Sequence, residues 1–273
     1  MSETVIFKGV RGPKFVFFLR QILSLSNLNE QYFDVLLDKE GILMYERAFS
    51  HRTADENNNY EYLEFLGDTT LNKSIAWYLS RRFPQLNCCK GVKVLTRLKI
   101  NLISKKSFAS FAKQLKFWDF VSASEDTRAM KMDKTLEDVF EAFFGATELL
   151  IDERIQLGAG YAICYSMIAN LLNTRRISLK YEQLFDSKTR LKEIFDHFGS
   201  KLGVHKYDTQ KVDRMHHVKV ILCKLQAKQQ VLGEGSAPLK ADAQQRASEQ
   251  AIHTLKNMGF VKMVSDEYKL FCE

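Results

Sequence analysis

Two short stretches put carboxylates where a bland helix would carry none. The first is Glu61-Tyr62-Leu63-Glu64-Phe65-Leu66-Gly67-Asp68, and the second is Asp138-Val139-Phe140-Glu141-Ala142. At 3.6 residues per turn, Glu61, Glu64 and Asp68 fall within an arc of roughly 60° on one helix. Leu63, Phe65, Leu66, Leu71 and Ile75 point in nearly every direction around that arc, the pattern of a helix buried on all sides. On the second helix Val139, Phe140, Phe143 and Phe144 share one side, and Asp138, Glu141, Glu148 and Asp152 the other. Buried carboxylates require partners. Glu64, Asp68, Asp138 and Glu141, pooled between two helices, would repel one another unless a cation joined them. Mg2+ meets that demand, with Mn2+ as a substitute, because it prefers carboxylates and water and accepts phosphate as a further ligand. Two such ions about 4 Å apart suit in-line displacement at a phosphodiester. These four residues are therefore the candidate catalytic and metal-binding set.

Other residues near the acids carry weaker expectations. Glu61 reads as a neighbour that orients its helix or meets nucleic acid, not as a ligand. Lys134, four residues before Asp138, either screens the carboxylates or a phosphate, or forms an ordinary i,i+4 pair. His51 reads as a helix-entry or core hydrogen-bonding group, since two-metal hydrolysis needs no histidine. Gly67 and Gly145 lie among the acids, where a missing side chain admits another backbone or a ligand.

The elements that must hold these residues follow from the whole chain. Its 273 residues allow two cores, and 45% hydrophobic content with 3 prolines and 13 glycines describes a helix-rich folded protein. The net charge of +7 favours an anionic partner. Charge is also unevenly placed: the 50 residues between Asp68 and Asp119 hold eleven lysines and arginines and no acid. That run is either a set of solvated helix faces or a surface for a phosphate backbone. Five cysteines without paired metal-ligand spacing read as free thiols in a reducing compartment. No apolar run is long enough to span a bilayer, so an intracellular, soluble protein, cytoplasmic or nuclear, is expected.

Residues 1–30 read as an N-terminal extension containing a strand or short helix. A helical region spans 31–172, with turn chemistry at 50–59, a helix ending before Pro84, a basic helix over about 92–105, a polar loop at 122–133, and helices over about 134–151 and 159–172. A linker follows at 173–185. The periodicity then changes: a helix stopping at Gly199, strands at 217–224 and 228–235, and a helix at 241–258 make an α-β-β(-β)-α module over 186–260, followed by a tail at 261–273.

These motifs resemble the ribonuclease III family. Ala48-Phe49-Ser50-His51-Arg52-Thr53 resembles the segment before its signature, and Glu61 to Asp68 the signature itself, with Tyr62 where arginine is more usual. Leu95-Thr96-Arg97-Leu98-Lys99 resembles the family's basic helix, and Asp138 to Ala142 its second acidic motif. The resemblance covers roughly residues 35–172. The module after the linker is similar to a double-stranded-RNA-binding domain, with Asp186 to Glu193 as its opening helix and Gly233-Glu234-Gly235 as its strand-end turn. Two departures stand out. Lys240-Ala241 replaces a lysine pair, and the loop carrying His216 and His217 lacks the usual Gly-Pro and looks lengthened; an intact fold with weaker or retuned RNA affinity is expected. The resemblance implies an all-α endonuclease domain followed by a small α+β domain. It implies Mg2+-dependent hydrolysis of double-stranded RNA to 5′-phosphate and 3′-hydroxyl ends with short 3′ overhangs, performed by a homodimer since only one catalytic domain is present. Lys192, Glu193, His216 or His217, and Lys240 are the implied RNA contacts. The competing reading is a catalytically silent protein of this fold that sequesters double-stranded RNA or serves as a scaffold; relatives of that kind tend to lose the carboxylates, and here all four remain.

Overall fold

The structure is a computed structural model that describes residues 5–223, 229–264 and 266–271. The chain divides into two compact units, Met1–Ile177 and Ser178–Glu273. The first contains β1 (Ile6–Phe7), α1 (Pro13–Leu23), α2 (Phe33–Leu36), α3 (Lys39–Ala48), α4 (Glu61–Arg82), α5 (Val92–Leu102), α6 (Lys105–Gln114), β2 (Ala123–Ser124), α7 (Glu125–Met130), α8 (Met132–Arg154) and α9 (Ala159–Asn173). The second contains α10 (Tyr181–Leu184), α11 (Ser187–Leu202), β3 (Val204–Val212), β4 (Met215–Cys223), β5 (Gln230–Ala237), α12 (Lys240–Asn257) and α13 (Asp266–Lys269).

In the first unit an aromatic core surrounds α8. Phe15 and Phe49 meet edge to face at 5.4 Å, Phe49 and Phe117 lie 5.1 Å apart, and Phe117 meets Phe143 edge to face at 5.6 Å, separations at which aromatic pairs add to simple burial. Phe15, Phe18, Leu19, Ile22 and Leu23 of α1 are buried. The segment expected as an extension thus supplies part of this core, and β1 pairs antiparallel with β2 through Ile6–Ser124 and Phe7–Ala123. The region read as a polar loop at 122–133 contains β2 and α7. Ser124 caps α7 by accepting from the Thr127 amide, and Glu125 and Asp126 favour its first turn. The apolar-versus-acidic split expected for α8 holds only in part: Asp138 and Glu141 are buried as well, whereas Glu148 and Asp152 are half-buried.

Two glycines make that approach possible. A Cβ on Gly67 would stand 1.8 Å from the Glu141 carbonyl oxygen, and one on Gly145 would stand 2.1 Å from that of Leu63. The backbones of α4 and α8 therefore touch, and each glycine admits a helix rather than a ligand.

The second unit is an α-β-β-β-α module with strand order β3-β4-β5, both pairings antiparallel. Asp186 caps α11 by accepting from the Thr189 amide. The helix passes through Gly199, where it was expected to stop, and ends at Gly203, whose φ of 89° is left-handed. Strand β3 has few apolar residues because it lies at a sheet edge with one face half-buried. Leu191, Ile194, Phe195, Val218, Val220, Leu222 and Leu232 pack with Ala243, Ala247 and Ala251 of α12 to form its core. Parts of the expected strands at Lys224 and Lys228, and the thiol of Cys272, lie outside the described residues. Cys88 and Cys89 are exposed free thiols and Cys164 a buried one. Among the described residues no helix is long and apolar enough to cross a membrane.

Candidate metal centre

Helices α4 and α8 bring together Glu64, Asp138 and Glu141, each offering a carboxylate oxygen within 4.8 Å of the others. Asp138 and Glu141 are buried, at 4% and 7% exposure. Asp68 lies one turn beyond Glu64, exposed and outside that set, and its Oδ1 accepts from Asn72 Nδ2 at 2.7 Å. Its charge still reaches Glu141. Burial first, then Asp68, Glu137, Glu64 and Asp138, push the Glu141 carboxyl up to about 9. Burial and Asp138 raise Glu64 to about 7 against the opposing effect of Lys134. Glu137 is raised as well, mainly by burial. Acids crowded to this degree bind protons more readily than free carboxylates.

One cation stands among them. Lys134 Nζ donates to Asp138 Oδ1 at 2.5 Å and lies 3.8 Å from Glu64 and 3.7 Å from Glu137. It forms the i,i+4 pair and also reaches across to α4. Burial alone would lower its pKa, but the hydrogen bond and charge of Asp138, with Glu137 and Glu64, raise it. Glu61 is exposed and sits 3.7 Å from Arg52, away from the cluster.

Two neighbours went unnoticed in the sequence or were read only loosely. Tyr60, buried, donates its hydroxyl to Asp138 Oδ2 at 2.9 Å; burial and Asp138 hold that hydroxyl far above its ordinary pKa. A tyrosine just before an acidic helix carries no period or motif, so only three-dimensional proximity reveals it. His51 is a structural brace: its amide donates to the Ser122 carbonyl at 2.9 Å, its Nδ1 meets Thr53 Oγ1 at 2.9 Å, and its ring stands edge-on to Tyr60. Burial lowers its pKa.

Several cations of the acid-free stretch have partners of their own. Lys73 lies over the Tyr161 ring, Arg81 over Trp77 and Tyr165, and Lys113 pairs with Asp133 at 2.5 Å.

In the second unit, His216 and His217 lie not in a lengthened loop but on β4. The β3–β4 connection is the two-residue Asp213-Arg214, with Asp213 at φ 54°. A tight turn with a left-handed residue replaces the Gly-Pro loop, because aspartate tolerates that conformation. His217 Nδ1 is 2.7 Å from Ser236 Oγ. Lys192 is exposed on α11, and Lys240 is exposed as the first residue of α12. Glu193 is engaged within the module, accepting from the Tyr181 hydroxyl and, at 2.7 Å, from Lys262 Nζ.

The donor set of the first unit, carboxylate oxygens only, fits a hard divalent cation better than zinc or copper. Comparison with known proteins agrees with this chemistry. Residues 61–150 match the Ribonuclease III domain. A putative ribonuclease 3 of Invertebrate iridescent virus 6 is 37% identical, over 99% of this chain and 97% of its own. Another, of Frog virus 3, is 32% identical over 90% of this chain, which spans 64% of that protein's length. Among solved structures, the nuclease domain of ribonuclease III from Campylobacter jejuni aligns with 60% of this chain and 99% of its own, at 25% identity and a TM-score of 0.45. The chain belongs to the ribonuclease III family and is an endoribonuclease.

Proposed function

We propose that this endoribonuclease hydrolyses double-stranded RNA with Mg2+, Mn2+ serving as a substitute, and leaves 5′-phosphate and 3′-hydroxyl ends with short 3′ overhangs. The observation that carries the reading is the convergence of Glu64, Asp138 and Glu141 within 4.8 Å at the contact of two helices. A divalent cation bound there supplies Lewis-acid activation of water and neutralises charge on the phosphodiester. Glu141 and Glu64 must release protons to become ligands, and their raised pKa values make that release part of binding. Asp138 contributes an oxygen while Lys134 and Tyr60 hold its carboxylate. Asp68, at the rim, acts through water or on a second ion. Glu61 and Arg52 form the outer edge that RNA meets.

The α-β-β-β-α module is assigned to double-stranded-RNA binding, reading A-form shape over about 16 base pairs rather than sequence. Lys192 and Lys240 are its phosphate contacts, with His217 toward the groove; Glu193 first has to leave Lys262 and Tyr181. A homodimer is supported by an exposed apolar face on the helix that carries the acids. Phe65 is 69% exposed and Tyr62 53%, flanking the buried Leu63, and apolar side chains exposed together in this way suit a subunit contact.

The test is a gel of long double-stranded RNA incubated with the full chain, in Mg2+ and in chelator, beside Glu141→Gln. Expected are Mg2+-dependent products with 5′-phosphates, absent from the variant. Retention of RNA without cleavage in any divalent metal would overturn the reading.

A further inference from the structure

Asp138 is gripped at both carboxylate oxygens. Lys134 holds Oδ1, and the Tyr60 hydroxyl holds Oδ2 at 2.9 Å. Two donors on opposite oxygens fix the plane of a carboxylate, which a single i,i+4 lysine on a flexible stem does not.

Tyr60 is in turn fixed by the segment that delivers it. Its amide donates to the Ser50 carbonyl at 3.0 Å, and its carbonyl accepts the Glu64 amide at 2.8 Å, so it joins the loop to the first turn of α4. The preceding Asn59 accepts from the Glu61 amide and donates to the carbonyls of Asp55 and Glu56, while Arg47 Nε donates to its carbonyl. The His51 ring meets the Tyr60 ring edge-on at 5.6 Å. His51 is anchored through Thr53, whose Oγ1 accepts the Ser124 amide at 2.9 Å. An unbroken set of contacts thus runs from β2 to one oxygen of Asp138. A space-filling ring would need no hydroxyl, and a buried hydroxyl is costly unless partnered.

We propose that Tyr60 is a positioning residue: it orients the Asp138 carboxylate toward Glu64 and Glu141 and thereby sets the affinity of the site for a divalent cation. The inference rests on the divalent-metal reading above. It assigns to Tyr60 the part that outer hydrogen-bond partners of metal ligands play, whose loss costs about 10–100-fold in metal affinity.

The experiment measures Mn2+ binding to the full chain without RNA, by the loss of the free-ion electron paramagnetic signal, for wild type, Tyr60→Phe and Glu141→Gln. Thermal unfolding and double-stranded-RNA affinity are recorded in chelator. Tyr60→Phe keeps the ring and is expected to raise the Mn2+ dissociation constant about tenfold, with RNA affinity in chelator unchanged. Equal Mn2+ affinity in Tyr60→Phe and wild type would overturn the inference while leaving the metal site standing. Absence of any Mn2+ binding that Glu141→Gln removes would overturn both. Should Tyr60→Phe not fold, His51→Ala decides: it keeps the hydroxyl but withdraws the brace. A rise smaller than that of Tyr60→Phe is expected from weakened outer support, and an unchanged constant would overturn the proposal.

Discussion

Glu141 on α8 and Glu193 on α11 are both helical glutamates that sequence reasoning marks as functional, yet their surroundings differ in kind. Glu141 is buried among Glu64, Asp138, Asp68 and Glu137, and its carboxyl is pushed up to about 9. Glu193 is half-buried and has found a lysine and a tyrosine hydroxyl. A glutamate with its own cation inside the fold is satisfied. A glutamate crowded by acids holds a proton instead. The difference separates a site from a structural contact more sharply than the motifs do, and it can be broken from either side.

The largest effect is expected at Glu141. Glu141→Gln should reduce cleavage about a thousandfold or more, equivalent to ~4 kcal/mol of transition-state stabilisation. The same change removes a crowded acid, so in chelator at pH 8 the variant should melt about 2–4 °C above wild type. Cleavage assays and calorimetry on one preparation measure both. A variant that lost activity and also lost stability in chelator would mean that Glu141 serves the fold rather than the metal.

Next comes the contact that creates the crowding. Gly67→Ala places a Cβ 1.8 Å from a carbonyl of α8, and the helices must part. A loss of about 3 kcal/mol is expected in urea unfolding, with weakened cleavage as the carboxylates separate. Gly233→Ala is its counterpart in the second unit, where the Cβ would meet the Ala247 carbonyl oxygen at 2.4 Å. It should weaken RNA binding and leave divalent-metal affinity unchanged. Equal damage to metal binding from both variants would remove the distinction between the two sites.

The crowding also fixes a sign for pH. Glu64 and Glu141 keep protons in the folded state up to about 7 and about 9, whereas the unfolded chain releases them near 4.5. The folded state therefore binds more protons across that window. Stability in chelator is full near and below the ordinary carboxylate pKa, and it is lost as pH rises through 7 toward 9. Divalent metal competes with those protons, so the gap in melting temperature between Mg2+ and chelator should widen from pH 5 to pH 9. A gap independent of pH would show that the metal does not displace these protons.

The helical domain and its acids were legible because periodicity and spacing act locally. Glu64, Asp138 and Glu141 could be picked out before any packing was known. What was not legible depends on contacts across the chain. Tyr60 matters only because Asp138, 78 residues later, accepts its hydroxyl. Asp68 shares the helical arc of Glu64, yet one turn carries it to the exposed rim. Val204–Val212 escaped assignment as a definite strand because an edge strand with polar alternation lacks the apolar signal of β4. His216 was assigned to a loop, and His217 to the junction of that loop with the strand at 217–224, because no sequence rule announces a two-residue turn at Asp213-Arg214 without glycine.

The smallest effect probes the satisfied glutamate. Lys262 and Glu193 are each about a quarter exposed, so solvent screens their pair, and it should contribute no more than about 1 kcal/mol. Lys262→Ala is expected to cost that little in stability. Its effect on RNA binding depends on what Glu193 does once freed. If Glu193 meets ribose hydroxyls, release from Lys262 favours the bound form, and affinity for double-stranded RNA should rise about twofold despite the lost positive charge, while Glu193→Gln removes that gain in the double variant. If Glu193 is structural only, Lys262→Ala should weaken binding slightly through charge alone, and the loss should fade as salt rises. Filter binding at two salt concentrations separates these outcomes, and a salt-dependent loss would return Glu193 to the fold and leave Lys192 and Lys240 as the contacts of that face.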